Sequence, residues 1–245
     1  MTCIKRVGGA VCAGFLALAP ALALAQSAAD ADLLAAKVAA MRGQWKVLDA
    51  YRARLAGRLL GAYPTYWLLA GNVERSDPRD VQAFLARYPD SPLSESLRRE
   101  WLRALGAAGS WDLFREEYPR FLGDDVEIAC YSFQERLARG DGEAIAEARA
   151  LFVSTRETSA ACDPVFAAAA GANAISETDI WNRVRRLLAA SNVKEAKRAE
   201  ALLPRRQAIN EKTLGLVAAD PERFVAHEKL GRNLDRASQE TLIFA

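Results

Sequence analysis

Two acidic pairs, one histidine, two cysteines of the central region and a run of basic residues are the side chains in this sequence whose types and spacing could do chemistry. Glu116-Glu117 and Asp124-Asp125 have the composition that general acid–base cleavage of a glycoside needs: a positioned carboxylic acid with a second group across the sugar in a dry cleft. Each pair has a simpler account. Glu116-Glu117 reads as a solvated helix face, and Asp124-Asp125 as a helix start, where negative charge complements free N–H groups. His227, the only histidine, stands in weakly patterned sequence without a Ser, Cys or Asp constellation and reads as a surface residue. Cys130 and Cys162 are too few for a structural zinc site, so neither a metal nor a cofactor is expected.

The basic run comprises Arg183, Arg185, Arg186, Lys194, Lys197, Arg198, Arg205 and Arg206, with Glu195 and Glu200 among them. Lys194, Lys197, Arg198 and Arg205 fall near one helical face, and a solvated face is the simplest account of them. Trp67, Trp101, Trp111 and Trp181 could stack on sugar rings. Their helical spacing with Leu and Phe points instead to core packing.

The compartment in which these groups would work follows from the first residues. Lys5 and Arg6 precede an apolar run from Val7 to Leu18 and the small residues Ala23-Leu24-Ala25, which is the pattern of a secretory leader cleaved after Ala25. The apolar run is too short to anchor the mature chain in a membrane. A lipoprotein reading would place Cys12 behind a Leu-containing lipobox, but Gly9-Ala10-Val11 precede it. Loss of the leader leaves 31 basic residues facing 31 acidic ones, so general nucleic-acid binding loses its electrostatic support. Of the four cysteines, Cys3 and Cys12 leave with the leader. An exported pair, Cys130 and Cys162, is expected as a disulfide worth about 3–4 kcal/mol in the chain-entropy model.

The elements that must position these residues are helices. Alanine and leucine richness with few β-branched runs points to an all-α fold. The clearest unit runs from Tyr88 to Pro119. Ser91 and Pro92 form a helix start, Leu93, Leu97, Trp101 and Leu105 recur at four-residue spacing, and Gly106 and Gly109 end the run. Ser110 then stands where a cap would open a second helix with Trp111, Phe114 and Tyr118 on one side. Such a hairpin has too little surface to bury both apolar stripes alone and needs neighbouring hairpins.

Tyr-Pro pairs at 63–64, 88–89 and 118–119 read as helix ends at unequal spacing, unlike a strict tetratricopeptide array of about 34 residues. The expectation is an irregular superhelix of stacked helical hairpins. Val47, Leu48, Tyr51, Leu55 and Leu59 predict one helix from Gln44 to Leu60. Val126, Cys130, Phe133 and Leu137 put Cys130 on a buried face, and Asp163-Pro164 put Cys162 at a helix entrance. Ser176, and Asn192 with Glu195, are caps for two further helices. The pattern weakens beyond Asp220-Pro221, where Gly231-Arg232-Asn233 interrupts it and the chain ends on exposed-looking Leu242-Ile243-Phe244-Ala245. No internal domain boundary follows Ala25, so residues 26–245 are expected to form one superhelical domain.

Several stretches occur together in an order that resembles a known family: Tyr88-Pro89-Asp90-Ser91-Pro92-Leu93, Leu97-Arg98-Arg99-Glu100-Trp101-Leu102, Trp111 to Pro119, Cys130-Tyr131, Cys162-Asp163-Pro164-Val165-Phe166 and Leu202-Leu203-Pro204. They look like the N-terminal superhelical domain of soluble lytic murein transglycosylases, most strongly over 78–225. The resemblance implies a U-shaped superhelix, a periplasmic location and action on peptidoglycan. In that family a separate lysozyme-like domain cleaves between N-acetylmuramic acid and N-acetylglucosamine and leaves a 1,6-anhydro sugar. That domain is expected to be absent here. Glu95-Ser96 is the only Glu-Ser pair, and it lacks the Gly-Leu-Met-Gln stretch that follows the family's catalytic acid, so no catalytic residue is assigned. The chain is expected to be the non-catalytic superhelical part, truncated and inactive alone. A stand-alone periplasmic helical-repeat module binding murein or a protein is the alternative. With peptidoglycan strands as the partner, Arg183, Arg186, Lys194, Lys197, Arg198 and Arg205 are the candidate glycan contacts; no nucleic acid or membrane anchor is expected.

Overall fold

A computed structural model describes residues 18–227 and 234–245, so the leader's first part and Gly231-Arg232-Asn233 lie outside the described residues. All regular elements among the described residues are helices, and they fall into two compact units, up to Trp101 and from Leu102 onward.

The first unit holds α1 (Leu18–Met41), α2 (Trp45–Arg54), α3 (Ala62–Ala70), α4 (Pro78–Arg87) and the start of α5 (Pro92–Ala107). α1, whose partner was not legible in the alanine-rich sequence, packs on α2 and α3, burying Ala36, Ala39, Leu48 and Leu55 with Trp45 and Trp67 against them. Small alanines let the backbones approach closely, and the larger rings fill the remaining space. The expected helix to Leu60 stops at Arg54. Gly57 takes a φ of +75° and Leu59 is 94 % exposed, so the last apolar residue of the pattern faces solvent. Tyr63-Pro64 consequently opens α3 instead of closing α2. In the first turn the missing proline N–H costs nothing, because those donors have no intrahelical acceptor. Tyr88 and Tyr118 do follow helix ends, as the spacing predicts. α4 is capped by Asp77 ahead of Pro78 and buries Val81, Phe84 and Leu85.

In the second unit α5 ends its course, with Leu102 and Leu105 buried. Gly106 lies within the helix and does not break it. A Cβ there would stand 2.3 Å from the Tyr131 ring, so glycine lets the next layer approach. The chain turns at Gly109 (φ +66°), and α6 (Trp111–Glu117) begins after Ser110, whose side chain makes no cap bond. Then come α7 (Val126–Ala138), α8 (Glu143–Val153), α9 (Asp163–Gly171), α10 (Glu177–Ala189), α11 (Val193–Glu200), α12 (Glu211–Ala219), α13 (Pro221–His227) and α14 (Arg236–Phe244). Short 3₁₀ turns at Tyr118–Arg120 and Ala160–Cys162 precede α7 and α9.

Helices neighbouring in sequence pack together in this unit, α7 on α8, α8 on α9 and α10 on α11, as stacked hairpins require. One core joins Cys130, Phe152, Cys162, Val165, Phe166, Trp181, Val184, Leu188 and Leu203. Cys130 and Cys162 are bonded across α7 and the entrance of α9, 4.9 Å apart at Cα. Asp125 caps α7 by accepting from Glu127 and Ile128 N–H, and Ser176 with Asp179 forms a full capping box on α10.

Candidate functional site

The basic run divides into residues that build the protein and residues that face water. Arg183, on the inner face of α10, is 2 % exposed. Its guanidinium donates to Phe152 O at 2.6 Å, Arg156 O at 3.3 Å and Thr158 Oγ1 at 3.1 Å, and it pairs with Glu195 of α11. Burial presses its pKa below the ordinary arginine value, and the Glu195 carboxylate opposes that shift. Glu195 in turn accepts from Thr158 N–H and Oγ1. A planar, five-donor fork suits this position, because several carbonyls of one irregular loop must be satisfied at once. Arg183 is thus withdrawn from the candidate glycan contacts. The helical pattern placed it among neighbours in sequence, while the fold turns it inward.

Arg198 is half-buried, bonded to Thr158 O and 3.3 Å from Asp163, although its Nε is not aligned to donate to that carboxylate. Burial raises the Asp163 pKa, and Arg198 counteracts part of the rise. Arg186 is exposed yet reaches Val153 O and Ser154 O, each at 3.2 Å. The stretch 152–163 is therefore held by three arginines as well as by the disulfide. It looked like a merely polar connector in sequence, because main-chain acceptors carry no side-chain signature.

Lys194 and Arg205 are exposed and Lys197 is half-buried. α11 ends at Glu200, so Arg205 stands in the following turn and does not share a helical face with Lys194, Lys197 and Arg198. Arg185, counted only as part of the run, has a definite partner. It holds the buried Glu240 of α14, with its Nε 2.9 Å from Oε2.

The acidic candidates separate in the same way. Asp125 caps α7 and pairs with Arg103 at 2.6 Å; Asp124 pairs with Arg156 at 2.8 Å. Glu117 is buried, 3.1 Å from Arg120, and not part of a solvated face. Glu116 and Glu117 are consecutive on α6 and so point in different directions around it: Glu117 falls on the buried side with Phe114, three residues earlier, while Glu116 stays exposed. Glu95 lies in the first turn of α5, 3.0 Å from Arg98. Burial works against ionised Glu135, but hydrogen bonds from Arg139 and Arg115 outweigh it and lower its pKa. Glu200 differs: burial raises its pKa, and its carboxylate accepts from the Ile209 N–H. Trp101 and Trp181 are buried, whereas Trp67 and Trp111 are partly exposed. The side chain of His227 lies outside the described residues. No helix among the described residues is long and apolar enough to cross a membrane, and none of their His, Cys, Asp and Glu side chains form a metal-holding group.

No protein-family profile and no curated protein matches the chain. Solved structures do. An inactive mutant of the lytic transglycosylase Slt from Pseudomonas aeruginosa is 24 % identical, with a TM-score of 0.57, over 87 % of this chain and 34 % of that one. The 70-kDa soluble lytic transglycosylase from Escherichia coli is 16 % identical, with a TM-score of 0.61, over 89 % and 35 %. The 70-kDa enzyme in complex with bulgecin A aligns to the same extent. The chain spans about a third of the length of these enzymes, and over that span it has their all-helical fold.

Proposed function

We propose that this chain is the non-catalytic superhelical portion of a periplasmic lytic murein transglycosylase, exported by the leader of residues 1–25. The observation that carries the proposal is the fold match, which covers nearly all of this chain and about a third of each enzyme. Two features support the non-catalytic role. Protonating a glycosidic oxygen takes a carboxyl of raised pKa facing the sugar. Glu117, Glu135, Glu195 and Glu240 are buried and each is paired with an arginine, so none is turned outward to meet a sugar, and hydrogen bonds from Arg139 and Arg115 lower the pKa of Glu135. Glu200, with its raised pKa, is turned inward onto a backbone N–H. The glycan contacts in this proposal are the exposed Arg186, Lys194 and Arg205, with the half-buried Lys197 and Arg198 contributing their exposed edges.

The test is incubation of the chain lacking residues 1–25 with purified sacculi. Pelleting at low salt that weakens with added salt, and weakens further in Lys194→Glu/Arg205→Glu, is the expected result. Unchanged pelleting of the double variant would remove those residues from the site. Release of anhydromuropeptides above the level of a Glu95→Gln control would overturn the non-catalytic role.

A further inference from the structure

The last helix, α14, is attached in an unusual way. Its one buried carboxylate, Glu240, is 2 % exposed. It is gripped by Arg185 of α10, which reaches both oxygens, and by Arg236 one turn earlier on α14 at 2.7 Å. Arg236 also lies 6.0 Å from the ring of Trp181 on α10. The apolar attachment is slight. Ala237 and Phe244 touch the core, while Ile243 is 63 % exposed. Cavities flank the helix on both sides. One of about 810 Å³ lies between α12, α13 and α14, reaching Ser238, Thr241 and Leu242; another of about 210 Å³ lies under Glu240, Ile243 and Phe244 against α10. Both open to solvent, so α14 is covered on only part of its girth. α14 is thus held at its centre by a charge, with Thr241 buried beside it and Leu242 and Phe244 half-buried.

We propose that α14 is a displaceable occupant of a helix-binding groove on α10 and α12, and that the groove accepts an amphipathic helix carrying a carboxylate one turn before an apolar pair. α14 itself defines that chemistry, with Glu240 followed by Ile243 and Phe244. The bidentate Arg185 selects for a carboxylate at the central position and repels a cation there. Tethering gives α14 an effective concentration on the order of millimolar, so it outcompetes a weak free helix until its anchor is lost.

The test uses the whole chain and a fluorescein-labelled peptide of residues 235–245. In Glu240→Lys, hydrogen exchange of the α14 amides should speed up by about a hundredfold while amides of α7 to α11 keep their rates. The peptide should bind this variant and not the unaltered chain. Arg185→Glu/Arg236→Glu/Glu240→Lys, with all three charges exchanged, should restore α14 protection and abolish peptide binding. The proposal is overturned by unchanged exchange of α14, by faster exchange throughout α7 to α11, or by a released α14 whose groove does not take the peptide.

Discussion

Arg183 of α10 and Glu195 of α11 form an ion pair sealed from solvent, and both also bind Thr158, so two adjacent helices and the loop before α9 meet at one point. The pair lies next to the disulfide-bonded entrance of α9 and close to Phe152 and Phe166, whose rings stack edge to face at 5.0 Å. Desolvation makes such a pair costly to form. It persists here because the loop carbonyls occupy the remaining guanidinium donors.

Removal of one partner should expose that cost. Arg183→Met or Glu195→Gln alone is expected to destabilise the protein by about 3–5 kcal/mol, and the double variant by less than the sum. Urea unfolding of the four proteins in a double-mutant cycle measures it. Additive losses would show that the two residues act separately.

The disulfide should leave no free thiol in the denatured, unreduced chain lacking residues 1–25. With a sequence separation of 32 between the cysteines, reduction is expected to cost about 3–4 kcal/mol. Arg183, Arg186 and Arg198 should still hold the loop 152–163, so a Cys130→Ser/Cys162→Ser chain is expected to remain folded, with a lower Tm and native-like far-UV circular dichroism.

Gly106→Ala is expected to destabilise by about 1–3 kcal/mol through overpacking, because the new methyl meets the Tyr131 ring and not a flexible tip. Gly142→Ala, where a Cβ meets nothing, serves as the control and should be near neutral. Equal Tm values for the two variants would contradict the close approach of α5 and α7.

Glu200 gives the stability a pH dependence of definite sign. Burial raises its folded-state pKa above the unfolded value, so the native state binds the proton more tightly. Its contribution is complete below the unfolded value of about 4.3 and is lost as pH rises through the folded one. Glu200→Gln should remove that slope. Tm profiles of the two proteins from pH 4 to 8 read it directly, and parallel profiles would refute it.

The helical class, most caps and the buried cysteine face were legible in the sequence, because they depend on local physics. Apolar spacing of three and four residues marks the stripes of α4, α5, α7 and α10. Asp125, Ser176 and Asn192 stand where orphan N–H groups need acceptors. The Tyr-Pro markers were legible at 88–89 and 118–119 but misread at 63–64, since proline is tolerated in a first turn as readily as it ends a helix.

The candidate site was decided by tertiary structure. Arg183 and Lys194 carry the same charge sign in one basic run. One is sealed among loop carbonyls and the other is exposed, because the crossing of α10 and α11 turns the first inward. Glu117 and Glu116 divide similarly, as neighbours on α6 of which one meets the core and the other water. Glu240 finds Arg185 across a sequence separation of 55 residues. Local spacing reports which side chains share a helix face. Which of those faces meets a loop, another helix or water depends on contacts between residues distant in sequence, and these arise only when the helices pack.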